Sequence, residues 1–337
     1  MNIRSNLWVM LASFMVFGTP LQAAEVSVDA AASVGATVEV RADSLPYPVG
    51  PLTGEQIAQQ VYYSAHGGLI NNAVSRRFKR EIALLVNRAP LDKRGPGRKP
   101  SVNTFETYVN NNVADPEIVS QQMAIMKSGK VKGTGVLFTE YTDKKRGSTI
   151  ALWLPALRKI RRLNEPAHED NWVGSNFTYG ELVLRRPEHE VHELIDEVVF
   201  DDCLLTMELE RSEMTRHTRK LPRSQCGHRG KPVYRVKSTT KFKNWWYDYH
   251  ISDIDKRTFS MYRTEYFKDG KKVKTITIDW QSLNMRDPRI NYPRYIYAIT
   301  HETGVDSLVY VPRRTISLNA CLPDSFWSEE TLKKQGK

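Results

Sequence analysis

The chain has 337 residues, 40% of them hydrophobic, and carries a formal net charge of +11 with a pI near 9.4. That length and apolar content exclude a disordered chain and allow one large domain, or two smaller ones, to bury a sizeable core. Three cysteines are too few for a disulfide framework, so burial must hold the fold.

At the amino terminus Arg4 precedes an uncharged apolar run from Leu7 to Phe17, followed by Gly18, Pro20 and the small residues Ala23 and Ala24. The run falls short of the roughly 20 residues a membrane-spanning helix needs, and small residues stand where a signal peptidase cuts. Residues 1–23 read as a cleaved secretory signal, with an uncleaved anchor as the alternative, and no cysteine lies near the cut to carry a lipid. The expected location is the periplasm, with secretion the alternative. Arg4 is the one charge the signal removes, so the mature chain stays strongly basic. In an exported protein that excess points to anionic lipid headgroups rather than nucleic acid, or to solubility from scattered Lys and Arg.

Residues 24–52, rich in Ala, Val and Ser and closing on Pro46, Pro48 and Pro51, read as a mobile arm, and 53–337 as a single domain. A helix opens at Thr53, where Gln56 completes a capping box and Ile57, Val61 and Ala65 form one apolar stripe. A second helix is expected at Asp115, with Pro116 at its first position, Ile118, Gln122 and Met126 on one line, Val119 and Met123 beside it, and Gly129 ending it. From Val131 almost to the carboxyl end the period becomes two. Strands are expected around Ile150, Leu152 and Leu154, across Cys203–Arg211 with Leu205, Met207 and Leu209 on one face, at Trp245 to Ile251, at Phe259 to Phe267, and at Ile276, Ile278 and Trp280. Asp269-Gly270 is a hairpin turn, so the order is antiparallel. Cys203 and Cys226 flank a basic, hairpin-like excursion and are the favoured disulfide pair, leaving Cys321 alone.

Many antiparallel strands with two short helices close into a barrel, stack as a sandwich, or curl around whatever covers one face. In the third case the concave space would be lined by Leu152, Leu154, Leu205, Met207, Leu209, Trp245, Tyr247, Ile276, Ile278 and Trp280, side chains suited to acyl chains and equally to an ordinary core.

Residues 131–182 decide among these. VKGTGVLF, ALWLPALRKIRRL and WVGSNFTYGEL, with YRTEYFKDGKKVKTITIDW at 262–280 and VPRRTISLNACLPDSFWSEETL at 311–332, resemble in order the hallmark stretches of LolA-like outer-membrane lipoprotein-sorting proteins. The resemblance implies a mainly β domain: a strongly curved antiparallel sheet, or half-open β-barrel, with short helices as a lid over an apolar cavity. It implies a carrier of a lipid or lipoprotein acyl group between envelope membranes, without cofactor or catalysis. The alternative role is an accessory of an inner-membrane RND-type exporter of hydrophobic compounds. The chain departs from the pattern at Asn176 and Gly180, where acidic residues are expected.

Within the matched stretch, Gly133 and Gly135 leave one strand face bare, for a ligand tail, a lid helix or a bulge. Arg158, Lys159, Arg161 and Arg162 make a basic edge, for headgroup or anionic-membrane contact or as a solvated edge. Trp172, Phe177 and Tyr179 read as a cavity rim or as anchors of a loop. Among enzyme signatures, His189-Glu190-Val191-His192 with Asp196 comes nearest, but its histidines are three apart where zincin chemistry needs four. No metal site and no catalytic residues are expected.

Overall fold

The computed structural model describes residues 45–336 apart from 66–68, 144, 165–166, 244 and 321, so the expected signal peptide, the expected arm up to residue 44 and Cys321 lie outside the described residues. Helix α1 (Gly54–Ala65) precedes β1 (Asn72–Ser75), β2 (Ala83–Arg88), β3 (Ser101–Asn110), β4 (Ile118–Met126), β5 (Gly135–Tyr141), β6 (Thr149–Leu154) and β7 (Lys159–Asn164). A connecting strap, 167–189, leads to β8 (Glu190–Val199), and an excursion, 200–231, leads to β9 (Pro232–Thr240). Then follow β10 (Tyr249–Asp255), β11 (Met261–Lys268), β12 (Lys271–Ser282), β13 (Asn291–Thr300), β14 (Asp306–Tyr310), β15 (Ile316–Leu318) and α2 (Glu329–Gln335).

The strands form one antiparallel sheet in the order β7-β6-β5-β4-β3-β2-β14-β13-β12-β11-β10-β9-β8, with β1 paired to β15 and β3. β7 and β8, adjacent in sequence, are its two edges and do not pair with each other, so the curved sheet stays open. This is the mainly β, half-open architecture expected. The Asp269-Gly270 turn has positive φ at both residues, 49° and 71°, and joins β11 to β12 as a tight hairpin.

Both faces of the central strands are buried. Ala83 and Leu85, Val136 and Phe138, Ile150 and Leu152, and Ala298 point to an inner face covered by the strap and α1. Their neighbours Leu84, Val86, Tyr295 and Tyr297 meet the 200–231 excursion, and Leu137 and Trp153 meet α2, on the outer face. Side chains alternate along a strand, so two covered faces turn central strands into unbroken apolar runs such as Ala83–Val86.

Helix α1 forms where its capping box places it: Thr53 N donates to Gln56 Oε1 at 2.9 Å and Gln56 N to Thr53 Oγ1 at 3.3 Å, while Ile57, Val61 and Ala65 are buried. The described end of the expected arm, residues 45–52, is bonded to the domain. Tyr47 OH donates to Arg257 O at 2.9 Å, Arg289 Nη1 to Leu45 O at 2.9 Å, and Leu52 is buried under α1.

Two expected elements are corrected. The helix expected from Asp115 is strand β4, and Asp115 Oδ1 accepts from Glu117 N at 2.9 Å in a turn before it. Positions four apart, such as 122 and 126, share one face of a helix and also of a strand, because four is a multiple of two; the ladders to β3 and β5 decided the matter, and a bulge between Ile118 and Ser120 turns Ile118 away from that face. The strand expected across Cys203–Arg211 is an irregular covering segment with one bridge, Leu204 to Gln225. Without a ladder to impose alternation, Leu204 and Met207 turn onto the outer face and Leu205 is exposed at 45%. The excursion is closed by the Cys203–Cys226 disulfide and pinned where His228 Nε2 meets Asp279 Oδ1 at 3.0 Å and its ring stacks on Tyr262.

The bare glycine face of the VKGTGVLF stretch receives α2. A Cβ on Gly133 would stand 2.3 Å from Gly336 O, and one on Gly135 would stand 3.0 Å from Leu332 Cδ2. Gly133 also has φ +81°. Gly133→Ala should therefore cost about 1–3 kcal/mol of stability and loosen α2. Urea unfolding should give a lower midpoint, and hydrogen exchange should show lost protection at 329–335.

Candidate functional site

An apolar cavity lies between α1, the strap and the inner faces of β8 to β13. Ala58, Val61, Tyr62 and Ala65 close it from α1, Phe177 and Leu182 from the strap, and Ile254, Ile276, Ile278, Trp280 and Ile296 from the sheet. Its volume is about 130 Å³, below the roughly 300–1,000 Å³ of ordinary ligand pockets. A long acyl chain therefore needs α1 or the strap to move outward. α1 is tied across the opening by Tyr62 OH donating to Glu140 Oε1 at 3.1 Å, and the same carboxylate holds Arg186 Nη2 at 3.1 Å.

One wall is polar. Arg185, at the end of the strap's Gly180–Leu184 turn, donates from Nη1 to Tyr266 OH at 3.0 Å and Tyr247 OH at 3.3 Å, and its Nε lies 3.7 Å from Glu190 Oε2. Glu190 accepts from Tyr247 OH at 2.8 Å and meets His250 Nε2 at 3.2 Å; His250 Nδ1 meets Ser252 Oγ at 3.2 Å. Burial alone would raise the Glu190 carboxyl. The neighbouring His250 and Arg185, with the hydrogen bonds from His250 and Tyr247, outweigh it and hold Glu190 well below the usual carboxylate range. Burial, aided by Arg185 and opposed by Glu190, pushes His250 below the usual histidine range.

The strap is built to stay. Trp172 N donates to Phe177 O at 2.7 Å, and Thr178 and Glu181 cap each other at 2.8 and 3.2 Å. Lys274 Nζ, buried in the sheet, binds Glu181 Oε2 at 2.5 Å and also Asn176 O. Asn176, where an acidic residue was expected, is buried and donates to Ala298 O and Val305 O at 3.2 and 2.9 Å. Gly180, the other departure, leaves room for Trp246, whose ring would lie 2.4 Å from an added Cβ.

Of the residues expected to line a cavity, Ile276, Ile278 and Trp280 do so here. Leu152 and Leu154 pack in the inner core away from this space, as do Trp245 and Tyr247, although Tyr247 reaches its polar wall through Arg185 and Glu190. Met207 and Leu209 belong to the outer face, and Leu205 is exposed, because the strand that would have carried them inward does not form. Trp172, Phe177 and Tyr179 are fully buried plugs beneath the strap rather than a rim, and Phe177 alone of the three borders the cavity. Sequence reasoning missed Arg185 and His250, and weighed Glu190 as part of a metal motif. His192, the other half of that motif, bonds Ser238 Oγ and Pro187 O, and no group able to hold a metal ion is found among the described residues. The alternation of the strand from Glu190 was the available signal, since it carries Glu190, His192 and Leu194 inward together.

At the β7 edge, Arg158, Lys159 and Arg161 are exposed and hold no ion pair among the described residues, beside exposed Leu157. Arg162 differs from them, donating from Nε and Nη2 to both carboxylate oxygens of Glu329 at 2.7 Å.

Because His250 has a folded pKa below its unfolded value of about 6.5, its contribution to stability is complete above that value and is lost as pH falls through the folded pKa. Thermal unfolding followed by circular dichroism should show a lower midpoint at pH 5 than at pH 7. The difference should be smaller in His250→Gln.

Comparison with known proteins shows the same fold elsewhere. A domain described as that of an outer membrane lipoprotein-sorting protein, from Vibrio parahaemolyticus, superposes with a TM-score of 0.59 at 16% identity, covering 83% of this chain and 98% of its own. A DUF1329 family protein from Desulfovibrio piger ATCC 29098 gives a TM-score of 0.59 at 15% identity, covering 83% and 97%. A family model described as "-like: Uncharacterized protein" matches residues 119–213, and no curated protein matches. The chain thus has the fold of the lipoprotein-sorting domain, an open, curved antiparallel sheet around a short helix and a strap.

Proposed function

We propose that this protein is a non-enzymatic envelope carrier that shelters the apolar part of a lipid or lipoprotein acyl group between its curved sheet and the α1–strap cover. The observation that carries the reading is the apolar cavity beneath that cover, bordered by Val61, Phe177, Ile276, Ile278 and Ile296. The fold shared with a lipoprotein-sorting domain supports it, and the signal-like amino terminus supports a periplasmic location. Moving a lipid needs a cover that yields, and α1 is short and joined to the far half of the sheet by the Tyr62–Glu140 hydrogen bond. Native mass spectrometry of protein purified from periplasm without detergent should show an adduct released by organic solvent. Ala58→Trp, which fills the space from α1, should remove most of it; a bare mass for the unmodified protein, with no uptake of lipid probes, would refute the reading.

The basic β7 edge fits a second part of the same role, contact with anionic membranes, each exposed cation near such a surface contributing about 1 kcal/mol. Lys159→Glu with Arg161→Glu should weaken binding to vesicles rich in phosphatidylglycerol about tenfold or more, whereas neutral vesicles should be unaffected. Sedimentation with the two kinds of vesicle measures this.

A further inference from the structure

The cavity is charge-balanced although the protein is strongly basic. Two arginines and two glutamates border it, and each has a partner: Arg185 with Glu190, Arg186 with Glu140, and Glu181 with Lys274. The unpaired cations of the β7 edge stand outside it. A ligand entering this space therefore meets no excess positive charge, and an anionic end group would have to lie beside the ionised Glu190 in a water-poor site. Burying a charge without a counter-charge is far more costly than burying a hydrogen-bonded neutral group.

The polar wall nevertheless offers hydrogen bonds. Tyr247, Tyr266 and Glu190 hold the Arg185 guanidinium in place through Nη1 and Nε, and Nη2 makes no hydrogen bond among the described residues. His250, Ser252 and Ser238 border the same space, and they are bonded to Glu190, Thr264 and His192 respectively. The wall thus presents a fixed donor backed by a carboxylate, a pairing that suits one neutral oxygen acceptor and opposes a second negative charge.

We infer that the cavity selects an electrically neutral amphiphile, bound with its hydroxyl or carbonyl oxygen against Arg185 and its apolar body beneath α1. This rests on the carrier reading and deepens it by naming the charge class and orientation of the cargo. Anionic headgroups belong to the exterior of the molecule.

The test uses the mature chain at pH 8 and three ligands with the same oleoyl chain, each below its aggregation concentration: monoolein, oleate and oleoyl lysophosphatidate. Each displaces diphenylhexatriene from the protein. Monoolein should bind at least about tenfold tighter than either anion. Glu190→Gln, which leaves the wall with one net positive charge while keeping the size of the side chain, should narrow that gap to about threefold or less. Ala58→Lys, which adds one cation at a partly exposed position on the α1 side of the cavity, should narrow the same ratio even where its longer side chain weakens both ligands, and serves if Glu190→Gln does not fold. Equal or tighter binding of oleate to the unmodified protein would overturn the inference while leaving the carrier reading intact, as would variants that leave the tenfold gap unchanged. Failure of the unmodified protein to bind diphenylhexatriene and all three ligands would overturn both.

Discussion

The interaction on which the rest of this structure depends is the burial of the inner face of a sheet whose edges never meet. β7 and β8 follow one another in sequence yet stand at opposite ends of the strand order, so the sheet curves without closing. A closed barrel would cover its own interior. Here the interior is covered instead by the strap that joins the two edges and by α1, which comes from the far end of the chain's order. The connection that fails to pair β7 with β8 is thus the element that plugs the space they leave.

That arrangement divides the cover into a firm part and a weaker one. The strap is fastened by the buried Lys274–Glu181 pair, by Asn176 bonding across β13 and β14, and by Trp172, Phe177 and Tyr179 sunk into the core. Breaking any buried ion pair strands a charge, so these fastenings are costly to undo. α1 is held by the buried side chains of Ile57, Gln60, Val61, Ser64 and Ala65, by Gln60 accepting from Arg289 Nη1, by Glu55 accepting from His192 N, and by the partly buried Tyr62–Glu140 bond, none of which is a buried ion pair. Of the two, α1 has less to lose on moving, and the cavity lies against it.

Electrostatics is partitioned in the same way. Cations are left unpaired at the solvated β7 edge, where water screens them at little cost, and are neutralised one by one around the cavity, where burial would make an unpaired charge expensive. The unpaired positive charge of this edge thus lies on the outside, and the charges that border the cavity are paired.

The one-dimensional pattern determined the elements that rest on local chemistry: the Thr53–Gln56 capping box of α1, the Asp269-Gly270 hairpin, the bare face at Gly133 and Gly135, and the pairing of the cysteines within one excursion. The matched segments also carried the open-sheet fold. Tertiary structure alone decided the 115–126 segment, because a four-residue spacing satisfies helix and strand alike and only the β3 and β5 ladders distinguish them. It alone decided that Leu205 faces water, since alternation has meaning only where a neighbouring strand enforces it. The polar wall of the cavity was likewise beyond a linear reading. Arg185, Glu190, Tyr247, His250 and Tyr266 come from the strap, a sheet edge, a loop and two further strands, and what each does follows from the distances between them.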